Sequence, residues 1–483
     1  MVRRSFPFFA SALHPPSRSR TSSSACTAQS DPALIDPGKP WQNAKRMKIR
    51  WKEFVKGILQ RAGNVPYVEA AARHILSQRK APSAPSYETP YEIPGVDLIR
   101  PQTSISNGLR LNLFVPSINV SDSFGGIATA VKLFEQLGDI VQTTSDVRLR
   151  IITDTRIIDD SVVDLAKWAV LDSNHSDHRY QIVERKDPLK QTIPFSRRDV
   201  LVATWWPTAF RAENLRAWQE RSFGRPVAPL IYIIQDFEPA FYPWSSWYAY
   251  AEGTYTDGAN TIAIFNSSLL RTFFEKHGYS FLRTYHFEPR IGTWLKAHLN
   301  PSAAKERRIF VYGRPSSPRN CFEVICAGLR EWAQSSRGAG RWAIISAGEK
   351  HANVPLGNGL EIRSVGKLSL PDYAAMLNQC AVGISLMLSP HPSYPPLEMA
   401  HSGILTITNS YGEKNLSSWH ENIYSIPRIS PEEVAKGVER SINLFEEDNA
   451  VGVKGASRVP FYLRDDETEE CLYDVARIIT TLE

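Results

Sequence analysis

The amino-acid sequence predicts an α/β protein built from two facing Rossmann-like, doubly wound domains. From residue 109 onward, short apolar runs alternate with segments whose apolar residues recur at helical spacing. The apolar runs of the first half end in polar, Trp or Pro residues, a pattern typical of parallel strands wrapped by helices. The same rhythm restarts after a break near residues 286–306, and the length of 483 residues allows two such domains.

Residues 1–103 are predicted to form a basic leader that ends in a Pro-rich linker. Residues 1–61 hold twelve Lys and Arg against three Asp and Glu. The first forty residues are rich in Ser, Pro and Arg, which is typical of disorder. They could form a transit peptide, or translation could begin at Met47. The stretch "APSAPSYETPYEIPGVDLIRPQT", residues 81–103, would then lead into the folded body.

The segment "AKRMKIRWKEFVKGILQRAG" within this leader could form an amphipathic helix. Its apolar face would consist of Ile49, Phe54, Ile58 and Leu59, surrounded by cations that suit an anionic membrane surface. A solvated or domain-packed helix is the alternative. Nucleic-acid binding is not expected, because the rest of the chain carries 44 Lys and Arg against 47 Asp and Glu.

Cysteine use indicates a reducing, cytoplasmic compartment. The five cysteines are odd in number and lack paired metal-ligand spacing, so the sequence predicts neither a disulfide framework nor a zinc site. We also find no run of about eighteen apolar residues that could span a bilayer. The cysteines are Cys26, Cys321, Cys326, Cys380 and Cys471.

The N-terminal domain is predicted over residues 104–300. Its strands are "LRLNLFVPSIN", "VRLRIITD", "DVLVATWWPTAF" and "PLIYIIQDFEP", and "FGGIATAVKLFEQL" is its first helix. In open parallel sheets, ligands bind beyond the carboxyl ends of the strands. The residues at those ends are Asn119, Gly125, Gly126, Asp154, Trp205, Trp206, Gln235 and Asp236.

The C-terminal domain is predicted over residues 301–483, with a final helix that could cross back to the first domain. Its strands are "RRIFVYGRP", "WAIISAGE", "LEIRSVGK", "AVGISLML" and "ILTITNS". Helices are predicted in "CFEVICAGLREWAQ", "PDYAAMLNQC" and "PPLEMAHSG". A cleft between two such domains is where small ligands usually bind.

Three cations follow strands of the second domain and could bind a diphosphate. Arg314 and Arg319 lie on a loop between a strand and a helix, and Lys367 ends another strand. Forked guanidinium donors and the amides of a helix N-terminus suit phosphate oxygens. The alternative is that the arginines form ordinary ion pairs and that the lysine is solvated.

The stretch "SPHPSYPPLEMAHSG" places a carboxylate in the first turn of a helix. Pro395 and Pro396 preset the backbone at the helix start, and Glu398 follows. A carboxylate there could accept both ribose hydroxyls of a nucleotide. Its alternative role is to complement the helix dipole.

Aromatic and acidic residues at the edge of the first domain suit a sugar. Trp205, Trp206, Phe237 and Tyr242 could offer ring faces and polar atoms, although such rings are often core. Asp154 and Asp236 follow strands and could act as a base, bind sugar hydroxyls, or be structural.

These motifs resemble those of the family 4 glycosyltransferases, which have the GT-B fold. The resemblance rests on "YGRPSSPRN", "PSYPPLEMAHSG" and the Gly125–Gly126 pair. The family tends to have two glutamates separated by seven residues; Glu398 matches the second, and Pro390 stands in place of the first. This departure affects a contact to the sugar. The resemblance also implies retention of stereochemistry.

A closer resemblance is to the WsaF type of bacterial rhamnosyltransferase, over roughly residues 107–480. It rests on "GGIATAVKLFEQL", "YIIQDFEPAFYPWSSWYAYAEGTY", "IFNSSLL", "VYGRPSSPRNCFEV" and "PHPSYPPLEMAHSGILTITN". It implies transfer from dTDP-β-L-rhamnose to a cell-surface glycan, which a lipid could carry. Donor-binding residues are then Arg314, Arg319, Lys367, Ser393, Tyr394 and Glu398, and acceptor-binding residues are Gly125, Gly126, Trp205 and Trp206.

No cofactor and no metal ion are expected. Many transferases hold a divalent metal with an Asp-x-Asp element, which we do not find, so the three cations would replace it. Two other functions stay open. A nucleotide-sugar epimerase of the same shape would need no aromatic acceptor cleft. A non-catalytic glycan- or nucleotide-binding protein would account for Pro390.

Overall fold

The computed structural model describes residue 93 and residues 96–120, 125–157, 161–172, 178–188, 190–224, 227–464 and 468–481. The predicted amphipathic helix and most of the leader lie outside these residues. The strand β1 (Arg100–Thr103) falls at the end of the predicted linker and pairs in parallel with β6 (Thr192–Phe195). Among the described residues, no helix is both long and apolar enough to cross a bilayer.

The first large sheet has eight strands, all paired in parallel. At its centre β2 (Leu109–Val115) lies between β3 (Val147–Thr153) and β7 (Asp199–Ala203). Every residue of β2 is buried, because helices cover both faces of a parallel sheet. The other strands are β4 (Ala169–Val170), β5 (Tyr180–Glu184), β8 (Leu230–Ile234), β9 (Gly258–Phe265) and β10 (Phe281–His286).

Four helices follow strands of this sheet: α1 (Gly125–Gln142), α2 (Trp206–Phe223), α3 (Ser246–Thr256) and α4 (Ser268–Lys276). Helix α1 presents Val131, Phe134 and Leu137 to the core at the spacing predicted for one helical face. Helix α2 ends at Gly224, whose positive φ of 59° closes the helix. Short α5 (Thr293–His298) leads toward the second sheet.

The second sheet has seven strands in the order β13-β14-β12-β11-β15-β16-β17. Its strands are β11 (Glu306–Gly313), β12 (Ala343–Gly348), β13 (Val354–Gly357), β14 (Leu360–Gly366), β15 (Cys380–Ile384), β16 (Leu405–Asn409) and β17 (Ile423–Ile426). All pairs are parallel except β13 with β14. The helices are α6 (Phe322–Ser335), α7 (Leu370–Gln379), α8 (Pro395–His401), α9 (Pro431–Glu447) and α10 (Val451–Lys454).

Helix α11 (Cys471–Thr480) returns from the second sheet to the first and packs on α1. Four of its residues, Leu472, Val475, Ala476 and Ile479, belong to the apolar core beneath the first sheet. The carboxyl edges of the two sheets also touch, because Asp236 after β8 contacts Arg319 and Ser389 of the second half. Two Rossmann-like domains that meet at their carboxyl edges form the GT-B fold that the sequence predicts.

Candidate functional site

The seam between the two sheets is built around Asp236. The Asp236 Oδ2 atom lies 2.6 Å from Arg319 Nη1, and Oδ1 accepts hydrogen bonds from the Ser389 hydroxyl and the Phe237 amide. The two charged side chains are 13% and 26% exposed, so solvent screens the ion pair only partly. The carboxylate therefore joins two loops of the second sheet to the edge of the first.

Arg319 is turned toward the first sheet, which differs from its predicted role as a diphosphate ligand. Its guanidinium binds Asp236 and lies 3.9 Å from the centre of the Phe241 ring. The Arg319 carbonyl accepts a hydrogen bond from the Leu388 amide, so the same residue also anchors the loop after β15. The alternative of an ordinary ion pair describes this side chain in the present structure.

Arg314 and Lys367 lie at the same edge of the second sheet. They follow β11 and β14, which are separated by one strand, and neighbouring strands are about 4.8 Å apart. Lys367 is exposed and Arg314 is partly exposed. Glu349 follows the intervening β12 and accepts hydrogen bonds from the Ser316 amide and hydroxyl. These two hydrogen bonds lower the pKa of Glu349, and the positive charge of Arg314 lowers it further.

The loop 389–394 is a tightly bonded turn. The Ser389 hydroxyl accepts a bond from the His391 amide at 2.9 Å, and His391 Nδ1 accepts one from the Ser393 amide at 3.0 Å. Ser393 has a φ of 71°, in the left-handed region that side chains rarely adopt. This turn explains why the sequence places prolines and small residues between two buried strands.

Glu398 lies in the first turn of α8, as the proline pair at its start predicts. Its Oε2 atom accepts a hydrogen bond of 2.7 Å from the Tyr373 hydroxyl. Burial raises the pKa of Glu398 to about 7, and the Tyr373 bond opposes this shift. The carboxyl group therefore titrates near neutral pH, where it can change from hydrogen-bond donor to acceptor.

Tyr394 crosses the seam just before α8. Its hydroxyl interacts with the side chains of Asn266, which follows β9, and Thr129 on α1. The Tyr394 ring also lies 5.9 Å from the His391 ring. This predicted donor-binding residue thus contacts the predicted acceptor domain.

The glycine pair begins α1 against Gln235. Gln235 Nε2 donates to the Gly126 carbonyl at 2.8 Å. A Cβ atom on Gly126 would lie 2.6 Å from Gln235 Oε1, so a larger residue would push the two apart. Apart from its neighbours in the chain, no atom of the described residues lies within 4 Å of a Cβ placed on Gly125, so that position is open.

The aromatic residues divide between core and surface. Trp206 is fully buried and donates a 3.0 Å hydrogen bond to the Tyr242 hydroxyl. This differs from its predicted contact with an acceptor, because its ring faces Trp205, Tyr242 and Trp247 instead. Trp205 and Tyr242 are partly exposed, whereas Phe237 is buried among Phe273, Phe274 and Tyr255.

Asp154 is partly exposed and belongs to an ion-pair network with two buried arginines. Its two carboxylate oxygens each lie 2.6 Å from an arginine, Arg185 on one side and Arg211 on the other. Asp97 bridges the same two arginines. Because both oxygens are occupied, this geometry favours the structural alternative for Asp154. Asn119 is buried and binds the Arg156 carbonyl.

Two ionisable residues near the seam have no counterpart in the sequence interpretation. Burial lowers the pKa of Lys414 to about 7, while Asp236 opposes the shift, and Nζ donates to the Met387 carbonyl at 2.7 Å. Burial raises the pKa of Glu238 to about 8, and its Oε2 accepts from the Trp206 amide. "SYGEKN" reads as an exposed turn, so no sequence pattern marks Lys414. Glu238 directly precedes Pro239 and is separated from Asp236 by one residue, and this close spacing of two acidic residues could have marked it.

Among the described residues, no group of three or more His, Cys, Asp or Glu side chains could hold a metal ion. The four cysteines within the described ranges are free: Cys321, Cys326, Cys380 and Cys471. Burial raises the pKa of each of the four thiols above its ordinary value.

Comparison with known proteins gives matches in both halves of the chain. Residues 110–268 match the family model "WsaF, N-terminal domain" and residues 307–439 match "WsaF, C-terminal domain". The O-antigen biosynthesis protein RfbC of Myxococcus xanthus is 32% identical over 214 residues, which are 44% of this chain. The match spans only 15% of the length of that relative.

Solved structures with a similar fold have low sequence identity to this protein. Sucrose-phosphate synthase from Thermosynechococcus elongatus is 13% identical with a TM-score of 0.48, covering 77% of this chain and 94% of the other. WaaG, a glycosyltransferase involved in lipopolysaccharide biosynthesis, is 12% identical with a TM-score of 0.45, covering 77% and 100%. The two family matches together cover more than half of the chain, in the same order as the two sheets, and the protein belongs to the WsaF family.

Proposed function

We propose that the protein is a glycosyltransferase that moves L-rhamnose from dTDP-β-L-rhamnose to a growing cell-surface polysaccharide. The observation that carries the proposal is that Arg314, Lys367 and Glu398 lie at the carboxyl edge of one sheet, where it meets a second. Two cations at one edge suit the charged phosphates of a nucleoside diphosphate, and the carboxyl group suits a hydroxyl of its pentose.

Arg314 and Lys367 would bind the diphosphate. Negative charge develops on the leaving dTDP as its bond to the anomeric carbon breaks, and cations already in place lower the barrier to that step. In this proposal they take the place of a metal ion. Ser393 and Tyr394 would lie beside the nucleotide, and Glu398 would accept a hydrogen bond from the 3′-hydroxyl, the single free hydroxyl of the deoxyribose in dTDP.

The acceptor would bind at the edge of the first sheet, near Gly125, Gly126 and Trp205. Its hydroxyl oxygen would form the new bond to the anomeric carbon as the diphosphate leaves with the electron pair of the old bond. Asp236 lies at this edge and pairs with one arginine rather than two, so it is the candidate to receive the hydroxyl proton. Both of its oxygens are occupied in this structure, and the acceptor hydroxyl would have to replace the Ser389 hydroxyl at Oδ1.

Support for a cell-surface polysaccharide comes from the family and from the relative that carries the name O-antigen biosynthesis protein. We further propose that the protein works in the cytoplasm at the inner face of the membrane. The basic segment around residues 45–63 would make peripheral contact there and bring the active site near a lipid-linked acceptor.

Calorimetric titration of the full chain with dTDP-rhamnose, other dTDP-sugars and UDP-sugars tests the donor. We expect the tightest binding for dTDP-rhamnose, and tighter binding of another sugar nucleotide would refute that donor. Transfer of radiolabel from dTDP-rhamnose to a rhamnoside tests the reaction. Conversion of the donor alone into another nucleotide sugar would indicate an epimerase, and binding without conversion or transfer a non-catalytic protein.

A further inference from the structure

Of the buried polar atoms that lack a hydrogen-bond partner within the described part of the chain, three lie at the seam: Gln235 Oε1, Asn266 Oδ1 and His391 Nε2. Asn266 is 3% exposed and His391 is 8% exposed. A buried polar atom without a partner destabilises a folded protein, so a group of them at one place calls for an explanation. A ligand that supplies the missing hydrogen bonds is one such explanation.

The hydrogen bonds around His391 determine what its free nitrogen offers. Nδ1 accepts from the Ser393 amide, so this nitrogen carries no proton. Burial lowers the pKa of His391 to about 4, and the ring is therefore neutral at pH 7. In a neutral ring the proton must then lie on Nε2, which is a donor. The main-chain carbonyl of Asn266 is close enough to the ring to raise its pKa, but its contact falls short of the geometry of a full hydrogen bond to Nε2.

The two amide oxygens are acceptors. Gln235 Nε2 is fixed by the Gly126 carbonyl, which leaves Oε1 as the unpaired atom. Asn266 follows β9, and its main-chain N–H donates a hydrogen bond to the Ile234 carbonyl. Asn266 therefore lies beside the end of β8, next to Gln235. Tyr394 joins the set, since its hydroxyl interacts with Asn266 and its ring lies near His391.

We propose that Gln235, Asn266 and His391 form a subsite that binds the hydroxyls of an uncharged sugar at the seam. One donor and two acceptors match hydroxyl groups, which both donate and accept. Three charged groups act on His391: Asp236 and Arg319 pair with each other, and the Lys414 ammonium donates to the Met387 carbonyl, so the subsite offers little to a carboxylate or phosphate on the sugar. This inference rests on the proposed function, because it assigns the transferred sugar to a place beside the nucleotide.

Two substitutions of His391 separate sugar binding from a structural role. His391→Asn keeps an acceptor near the position of Nδ1 for the Ser393 amide but has no donor at Nε2. His391→Gln places an amide N–H near Nε2 but loses the bond within the loop. If the subsite exists, we expect the Asn variant to lose affinity for dTDP-rhamnose about tenfold and the Gln variant to lose much less.

Bare dTDP is the internal reference, because it lacks the sugar. Its Kd should change by less than about twofold in both variants, which also shows that the nucleotide site is folded. Asn266→Ala, a substitution at the edge of the first sheet, should likewise weaken binding of dTDP-rhamnose relative to binding of dTDP. This variant provides the test if His391→Asn does not fold. His298→Asn, on exposed α5, is the matched control and should change neither Kd.

The subsite is overturned if the variants lose affinity equally for dTDP and dTDP-rhamnose, or if His391→Gln loses more affinity than His391→Asn. Neither result would contradict the nucleotide site. Unchanged affinity in His391→Asn and Asn266→Ala would also overturn the subsite. If the wild-type protein binds neither dTDP nor any nucleotide sugar, the proposed function fails and the subsite falls with it.

Discussion

Arg319 and Asp236 form an ion pair of 2.6 Å that joins the carboxyl edges of the two sheets. Because both side chains are largely buried, removal of either partner leaves a charge without its counterpart. We expect Asp236→Asn and Arg319→Met each to lower the free energy of unfolding, and the double variant to lose less than the sum by about 1–2 kcal/mol. Urea denaturation of the four proteins measures this coupling.

The exposed pair Lys454 and Asp448 is the control for that cycle, since its side chains are 67% and 41% exposed. It should show no measurable coupling. Additive losses at Asp236 and Arg319 would mean that the contact contributes nothing to joining the sheets.

Arg314 and Lys367 should each contribute to donor affinity. We expect Arg314→Ala and Lys367→Ala to weaken nucleotide-sugar binding by about 1.5–3 kcal/mol, the usual contribution of a hydrogen bond to a charged group. Arg341→Ala and Lys436→Ala, which remove exposed cations elsewhere on the same domain, are matched controls. Unchanged affinity in both test variants, measured by calorimetry, would contradict the proposed pocket.

Glu398 should make donor binding depend on pH. Its pKa of about 7 means that the carboxyl group is protonated at pH 6 and ionised at pH 8. The ionised form accepts a stronger hydrogen bond from the 3′-hydroxyl of the deoxyribose, so affinity should rise from pH 6 to pH 8. Calorimetry with a dTDP-sugar checks this, because the diphosphate of a sugar nucleotide does not titrate in that range. Glu398→Gln should flatten the profile; an equally steep profile in that variant would assign the titration to another group.

Lys414 should make the protein less stable as the pH falls toward neutrality. Its pKa drops from 10.5 to about 7 on folding, so between these values the unfolded chain binds more protons than the folded chain. Stability therefore rises with pH across this window and is level below it. The gain in unfolding free energy from Lys414→Met should be larger at pH 7 than at pH 10 by about 3–4 kcal/mol. A gain that does not change with pH would show that Lys414 is solvated.

Asp154→Asn should reduce stability without preventing donor binding. The substitution weakens two contacts of 2.6 Å, to Arg185 and Arg211, in a network that also includes Asp97. We expect a lower thermal midpoint and a dTDP-rhamnose Kd within about twofold of wild type. Loss of radiolabel transfer at full donor affinity and unchanged stability would restore Asp154 as a base.

Much of the fold follows from apolar patterning. The predicted strands at residues 109, 147, 199 and 229 are β2, β3, β7 and β8, and every predicted strand of the second domain is present. The pattern is clear there because central parallel strands are buried on both faces. It missed the other eight strands: β1, β4, β5, β6, β9, β10, β13 and β17. Of these, β4 has two residues and β1 lies in a Pro-rich stretch, and their pairing depends on distant partners rather than on local sequence.

The site was harder to predict where it depends on contacts between the sheets. The sequence placed Glu398 in the first turn of a helix correctly, because proline pairs act locally. It could not show that Arg319 binds Asp236, or that Trp206 is buried, since both facts depend on how distant elements pack. His391 lies within the stretch "SPHPSYPPLEMAHSG". The sequence could not show that its Nε2 atom lacks a partner, because this depends on the hydrogen bonds of its neighbours.

The return of α11 to the first sheet has a consequence for biosynthesis. Leu472, Val475 and Ile479 fill the core under α1, yet the ribosome makes them after the whole second sheet. A nascent first domain would thus expose an apolar surface until its closing helix emerges, and the two domains must complete their folding together. Premature termination just before Cys471 would damage the half of the protein that had been translated first.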